Sequence, residues 1–267
     1  MTIYTLAEKI GLPEEAIRLL DKYPEVVNAR AEFFKNQEAF CGGIKSTEDY
    51  HAKFLALFTQ LAVDSYDKYV SLGICDDIYY DTMRDITVWC GNCLRDSGVY
   101  GLAEIGWLKL HVANKIYKLG RLQFEPIGIT KDIELEKYSA SAGEVAFYVH
   151  VPQGAPLTYE ECVDSYERAV KFYRGINNLF YCHSWLLSPK LCEMLPPTSN
   201  IIRFQSHFET YGWDGDDRQC EERVYSMKLD DPSGYPENTY LQRQVKQYLG
   251  NGGKPGTSEG IFRFTGK

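Results

Sequence analysis

The chain has 267 residues, 44% hydrophobic and 25% charged, a composition that allows a sizeable core and excludes a disordered or fibrous chain. Its net charge of −8, with Lys and Arg spread along the sequence, offers no basic footprint for nucleic acid or an anionic membrane. No basic segment leads into an apolar core at the start, no apolar run reaches membrane-spanning length, and the eight cysteines read as free buried thiols, so a cytoplasmic protein is expected.

Residues 1–116 read almost wholly as helix. Pro13-Glu14-Glu15 opens one helix with acids at the positive end of its dipole. Ser46-Thr47-Glu48-Asp49 opens the longest, whose apolar stripe of Tyr50, Phe54, Leu57, Phe58, Leu61 and Tyr66 ends near Gly73. Another starts at Asp76-Asp77, and a further one spans Gly101 to Ala113. Cys90 and Cys93 form a lone C-x-x-C pair; with no second pair, no metal is expected there.

From residue 117 the pattern changes to mixed strand and helix. Leu119 to Phe124 and Asp132 to Lys137 read as short strands separated by Pro126 and Gly128. Glu144 to Val151 is aromatic and β-branched, as in a strand covered on both faces. It stops at Pro152, and a Gly/Pro loop follows. Thr158 and Glu161 then supply a capping box for a helix with apolar positions at Cys162, Ser165, Ala169, Phe172 and Tyr173. Gly175 and Asn177-Asn178 end that helix, and Leu179 to Leu187 forms a second core strand. Beyond it are expected a helix at 189–195, another at 199–210, a strand at 223–229, a helix at 237–249 and a last strand at 260–264. Two strands joined by a helix make a right-handed crossover, whose strand ends favour ligands. The fold class is therefore α+β, a helical domain 1–116 followed by a mixed sheet domain 117–267.

His150 and His183 stand at those strand ends and titrate near neutrality, which suits a general base. The plainer alternative for each is a neutral imidazole hydrogen-bonded within the sheet. Cys182 beside His183 is a poor dyad because neighbours on a strand point to opposite faces; Cys182 with His150 across the strands is a second pairing. Arg121, Gln123 and Glu125 alternate on one face, towards solvent or towards a cleft. Arg203 and Gln205 read as residues that lock their helix to the sheet.

The order of elements resembles the GNAT N-acetyltransferase fold. Leu119-Gly-Arg-Leu-Gln-Phe-Glu125, His150-Val-Pro-x-Gly-x-Pro-Leu157, Cys182-His-Ser-Trp-Leu-Leu187, Leu195-Pro-Pro-x-Ser-Asn200 and Leu241-Gln-Arg243 are similar to a bacterial family of acyltransferase domain-containing proteins with a helical N-terminal domain and a GNAT-like C-terminal domain. The resemblance implies acyl-coenzyme A as co-substrate, lying between the two core strands, and direct transfer of the acyl group to an amine of a small-molecule or peptide acceptor. It places the pyrophosphate on Gln153, Gly154, Ala155, Leu157 and Thr158, and the thioester beside Val149 and Val151. Free amides and the dipole at a helix start make an anion site on physical grounds as well. His150 or His183 would be the base, and Tyr211 or His207 the acid. Two positions depart from the family pattern: Pro156 removes a loop amide, and the usual acidic tyrosine is replaced by His207 or Phe208, with Tyr211 one turn late. The alternative function is a GNAT-fold module that binds a ligand or protein without catalysis.

Overall fold

A computed structural model describes residues 1–174 and 178–266, which divide into two compact units, 1–118 and 119 onward. The first is helical: α1 (Ile3–Ile10), α2 (Glu14–Ile17), α3 (Pro24–Asn28), α4 (Ala31–Lys35), α5 (Gln37–Lys45), α6 (Tyr50–Ser71), α7 (Asp76–Met83), α8 (Asp85–Ser97) and α9 (Ile105–Val112). The long α6 is the axis of this unit, with Phe54, Leu55, Leu57, Phe58 and Leu61 all buried. Tyr79 fixes α7 against it by donating its hydroxyl to the Ala62 carbonyl at 2.7 Å. Asp85 is buried at the start of α8, where its Oδ2 accepts the Trp107 indole N–H at 2.8 Å and lies 3.1 Å from His111 Nε2. A buried carboxylate with such donors is retained where removing either side would strand a polar group. Among the described residues no helix is long and apolar enough to cross a membrane.

A six-stranded sheet, in the second unit from Leu119 onward, runs in the order β1 (Tyr117–Leu119), β2 (Leu122–Gly128), β5 (Val145–His150), β6 (Leu179–Ser184), β8 (Thr257–Arg263) and β7 (Glu209–Asp214). Its core pair, β5 and β6, is parallel and is joined through α10 (Tyr159–Phe172). The short β3 (Ile133–Glu134) and β4 (Ser139–Ala140) form a separate hairpin. The remaining helices are α11 (Leu191–Met194), α12 (Asn200–Gln205), α13 (Gln219–Tyr225) and α14 (Tyr240–Gly250).

Several boundaries differ from expectation. The strand expected from Leu119 to Phe124 is broken by a turn at Gly120 and Arg121, where Gly120 adopts φ +80° and any Cβ would meet the Ser165 hydroxyl at 2.8 Å; Leu122 to Phe124 are strand. β2 then runs through Pro126; β1 is too short to demand a ladder bond on that outer edge. The strand expected at 132–137 shrinks to β3. The helix expected to reach 210 stops at Gln205 and gives way to β7, which pairs with β8. The strand expected at 223–229 is overturned by α13, which has Glu221 and Glu222 in its first turn and ends where Ser226 turns left-handed at φ 58°. The second core strand becomes a 3₁₀ turn after Ser184. Gly175 and Asn177, expected to end α10, lie outside the described residues.

One face of the sheet packs on α10 through rings. Phe180 stacks on Phe262 at 5.0 Å between centroids and meets Phe124, Phe147 and Tyr166 at their edges or at a tilt. Ser165 lies on the same helix face and is buried for a reason other than apolarity. Its hydroxyl accepts the amides of Arg121 and Leu122 at 2.8 and 3.3 Å, tying the β1–β2 turn to α10. On the opposite face, Ile129, Ile133, Ala140, Ala146, Leu179 and Ile261 form a second cluster that includes residues of the β3–β4 hairpin, and Tyr181 and Tyr211 pack against it. Replacing Phe180 with Ala should cost about 4 kcal/mol, the transfer and cavity cost of a fully buried ring; urea unfolding read on the second unit checks this.

Candidate active site

Cross-strand partners share a face of a sheet, as do alternate residues on one strand. The register Glu125↔Tyr148, Tyr148↔Tyr181 and His183↔Glu259, continued by Tyr211↔Glu259, therefore puts Glu125, Tyr148, His150, Tyr181, His183, Glu259 and Tyr211 on a single face. Tyr181 and Tyr211 of this row pack against the apolar cluster that includes residues of the β3–β4 hairpin.

The recorded pairing of β5 with β6 comprises Phe147↔Phe180 and Tyr148↔Tyr181, while β5 continues to His150 and β6 to Ser184. The two strands part above the tyrosine pair, and a histidine stands on each side of the opening. His150 Nε2 lies 3.6 Å from Glu125 Oε2, and its ring rests on Tyr148 at 4.1 Å. Both members of the His150–Glu125 pair are largely shielded. His183 is exposed, and its carbonyl accepts the Tyr148 hydroxyl at 3.4 Å.

Glu259 is the acceptor of the row. Its Oε2 receives the hydroxyls of Tyr181 at 2.9 Å and Tyr211 at 3.0 Å. Burial, followed by the nearby Glu259 charge, pushes both phenols well above the ordinary tyrosine range. Tyr211 thus stands on a strand and not on a helix, and its proton is directed at Glu259. Tyr148 is pushed up chiefly by burial.

His207 is separated from this group. It lies on the α10 face, stacked on Tyr159 at 4.7 Å and tilted against Phe262 at 6.1 Å. Its Nε2 is buried without a hydrogen-bond partner among the described residues, and burial pulls its pKa down to about 4. Cys182 also faces that side, and burial pushes its thiol far up. This removes the Cys182–His150 pairing, whose members stand on opposite faces.

The loop from Pro152 to Leu157 is held from beneath by Arg121. Its Nη1 donates to the Pro152 carbonyl at 2.8 Å, and its Nε to the carbonyls of Ala155 and Pro156 at 2.9 and 3.2 Å. With these three carbonyls turned towards the guanidinium, a half-buried positive charge sits behind the loop. Burial lowers the Arg121 pKa, while Cys162 and Glu161 oppose the change. Gly154 has φ 135° and open space around it, so a side chain there would be strained by the backbone alone. Thr158 caps α10, accepting the Glu161 amide at 3.3 Å and donating to the Glu161 carboxylate at 2.7 Å. Glu160 and Glu161 in this first turn offset part of the anion-attracting dipole, and Arg121 is the compensating charge. Gln205 donates to the Ser188 carbonyl at 2.7 Å, locking α12 to the segment after β6. Arg203 lies over the Tyr159 ring.

Reading the sequence missed Glu259, Tyr148 and Tyr181 as site residues. Strand alternation already placed the two tyrosines with the histidines. Glu259 fell outside the expected last strand, which begins at Thr257 and not at 260.

Comparison with known proteins adds the following. The family described as GNAT-like C-terminal domain matches residues 116–262, and that described as N-acyltransferase N-terminal domain matches residues 1–114. None of the curated proteins matches. Among solved structures, an acyltransferase in complex with decanoyl-CoA and teicoplanin superposes with a TM-score of 0.79 at 20% identity, covering 97% of this chain and 87% of that one. An acyltransferase mutant in complex with octanoyl-CoA gives 0.80 at 20% identity over 98% and 87%. At this identity the likeness is one of fold.

Protonation of the unfolded chain at His207 opposes folding in acid. The folded ring, held near pKa 4, stays neutral where the unfolded ring, near 6.5, is charged, so stability falls as pH drops from 6.5 towards 4. His207→Phe should remove on the order of 1–2 kcal/mol of the stability loss between pH 7 and pH 5, as read from urea midpoints of both proteins at the two pH values.

Proposed function

The chain belongs to the family that joins an N-acyltransferase N-terminal domain to a GNAT-like C-terminal domain, and from that membership we propose that it transfers an acyl group from coenzyme A to an amine of a small molecule or peptide. The reading rests above all on the opening between β5 and β6, with His150 and His183 on its two sides. Parting strands leave peptide groups without strand partners, and a thioester carbonyl is an acceptor for them. In this reading the amides of Val149 or Val151 receive the oxygen that becomes negative during attack.

The acceptor nitrogen loses a proton to His150 or His183, its lone pair forms a bond to the thioester carbon, and the carbon–sulfur bond breaks. The departing thiolate takes a proton. His207 is left out of this scheme by its position on the other face, and Tyr211 keeps its proton on Glu259, so the protonated histidine is the proposed donor to sulfur. The phosphates would lie along Gln153, Gly154, Ala155 and Thr158, with Pro156 offering no amide and the Arg121 charge behind the loop making up part of the loss.

Solved proteins of this fold hold decanoyl- and octanoyl-CoA, so these and acetyl-CoA are the donors to titrate. Calorimetry should detect binding of at least one of them, and Arg121→Ala should weaken it by about tenfold, or ~1.4 kcal/mol, without loss of the folded circular-dichroism signal. Absence of binding by every donor moves the assignment to the non-catalytic binding module, a reading that Glu160, Glu161 and Pro156 favour. For the chemical step, thiol release from octanoyl-CoA in the presence of a panel of primary amines should fall at least about a hundredfold in His150→Gln or His183→Gln. Unchanged rates in both variants would remove the histidines from the mechanism.

A further inference from the structure

Glu259 raises a question that the transfer chemistry does not answer. It is a half-buried carboxylate, and among the described residues no Lys, Arg or His lies within ion-pair distance of it. An anion shielded from water normally finds a counter-ion or gives up its charge. Here the two phenol hydroxyls donate to the same Oε2, while Oε1 lies towards Gly212 on the neighbouring strand. The carboxylate is thus hydrogen-bonded but faces no cationic side chain among the described residues.

The surroundings are aromatic. Tyr181 and Tyr211 flank the carboxylate, and Tyr148 meets Tyr181 edge to face at 5.1 Å. Ring faces attract cations, and an anion among them strengthens that preference. His183 pairs across the strands with Glu259 and stands beside the opening between β5 and β6.

We infer that Glu259 with Tyr148, Tyr181 and Tyr211 receives the cationic head of the acceptor, which makes the substrate class an alkylammonium and not an aromatic amine or an alcohol. The inference rests on the acyl-transfer reading for the word acceptor, but the cation site itself stands on the geometry of Glu259. An alkyl amine is charged near neutral pH, so it must arrive as an ammonium ion and release one proton to solvent before it can attack, the second passing through the histidine to the thiolate. An anion at the mouth of the cleft raises its local concentration in the form that predominates in solution.

The test uses butylammonium as probe, with butanol as its neutral counterpart, followed by saturation-transfer NMR on the full chain. Butylammonium should bind the wild type at least about tenfold more tightly than butanol. Glu259→Gln keeps an oxygen for both phenols and removes only the charge; it should lose that preference while its affinity for octanoyl-CoA stays unchanged. Equal binding of butanol and butylammonium to the wild type, or full cation binding by the Gln variant, overturns the inference. The wild-type comparison decides the matter alone if the variant does not fold. Cation binding without any acyl-CoA binding would retain the site and reject the acyl-transfer reading, so the two failures are distinguishable.

Discussion

The parallel pairing of β5 with β6 is the constraint on which the rest of the second unit depends. Below Tyr148 and Tyr181 the two strands are clamped by the ring stack of Phe147, Phe180 and Phe262 against α10. Among the described residues the strand pairing ends there, and the strands part. A parallel ladder cannot be closed by a tight turn, so its strands must be joined by a crossover helix, which places the α10 N-terminus beside the same opening. One topological requirement thereby brings together an opening between strands, a helix start and two histidines.

The two faces of the sheet then divide the work by their polarity. On the α10 side burial lowers the His207 pKa and raises that of the Cys182 thiol, so neither offers an imidazolium acid or a thiolate near neutral pH. On the other side the hairpin of β3 and β4 contributes to the apolar cluster, and Glu209 holds that hairpin in place by accepting the amides of Glu136, Lys137 and Tyr138. Of the upper residues His183 is exposed, while Glu125, Tyr148, His150, Tyr181, Tyr211 and Glu259 are half-buried. Arg121 joins this arrangement to the loop: Ser165 positions its backbone, and its side chain binds the loop carbonyls.

The core of the second unit was legible in the sequence because its signals are local. The run from Glu144 to Val151, the Thr158–Glu161 capping box and the run from Leu179 each specify their element from a few consecutive residues, and all three appear as β5, α10 and β6. What failed depends on partners distant in the chain. β7 is a strand because β8 offers it an edge, and Glu259 belongs to the site because β8 pairs with β6. Local propensity carries neither fact. His207 could not be placed on a face while it was assigned to a helix that ends at Gln205. The alternation of Arg121 with Gln123 and Glu125 predicts one strand face, but the Gly120 turn removes Arg121 from the strand and points it at the loop.

The most direct measurement is a crystal structure of the protein grown with octanoyl-CoA. The account predicts the thioester between β5 and β6, its carbonyl oxygen on the amide of Val149 or Val151 and its phosphates along Gln153 to Thr158. Coenzyme A bound elsewhere on the second unit, with the opening between the two strands vacant, would contradict it.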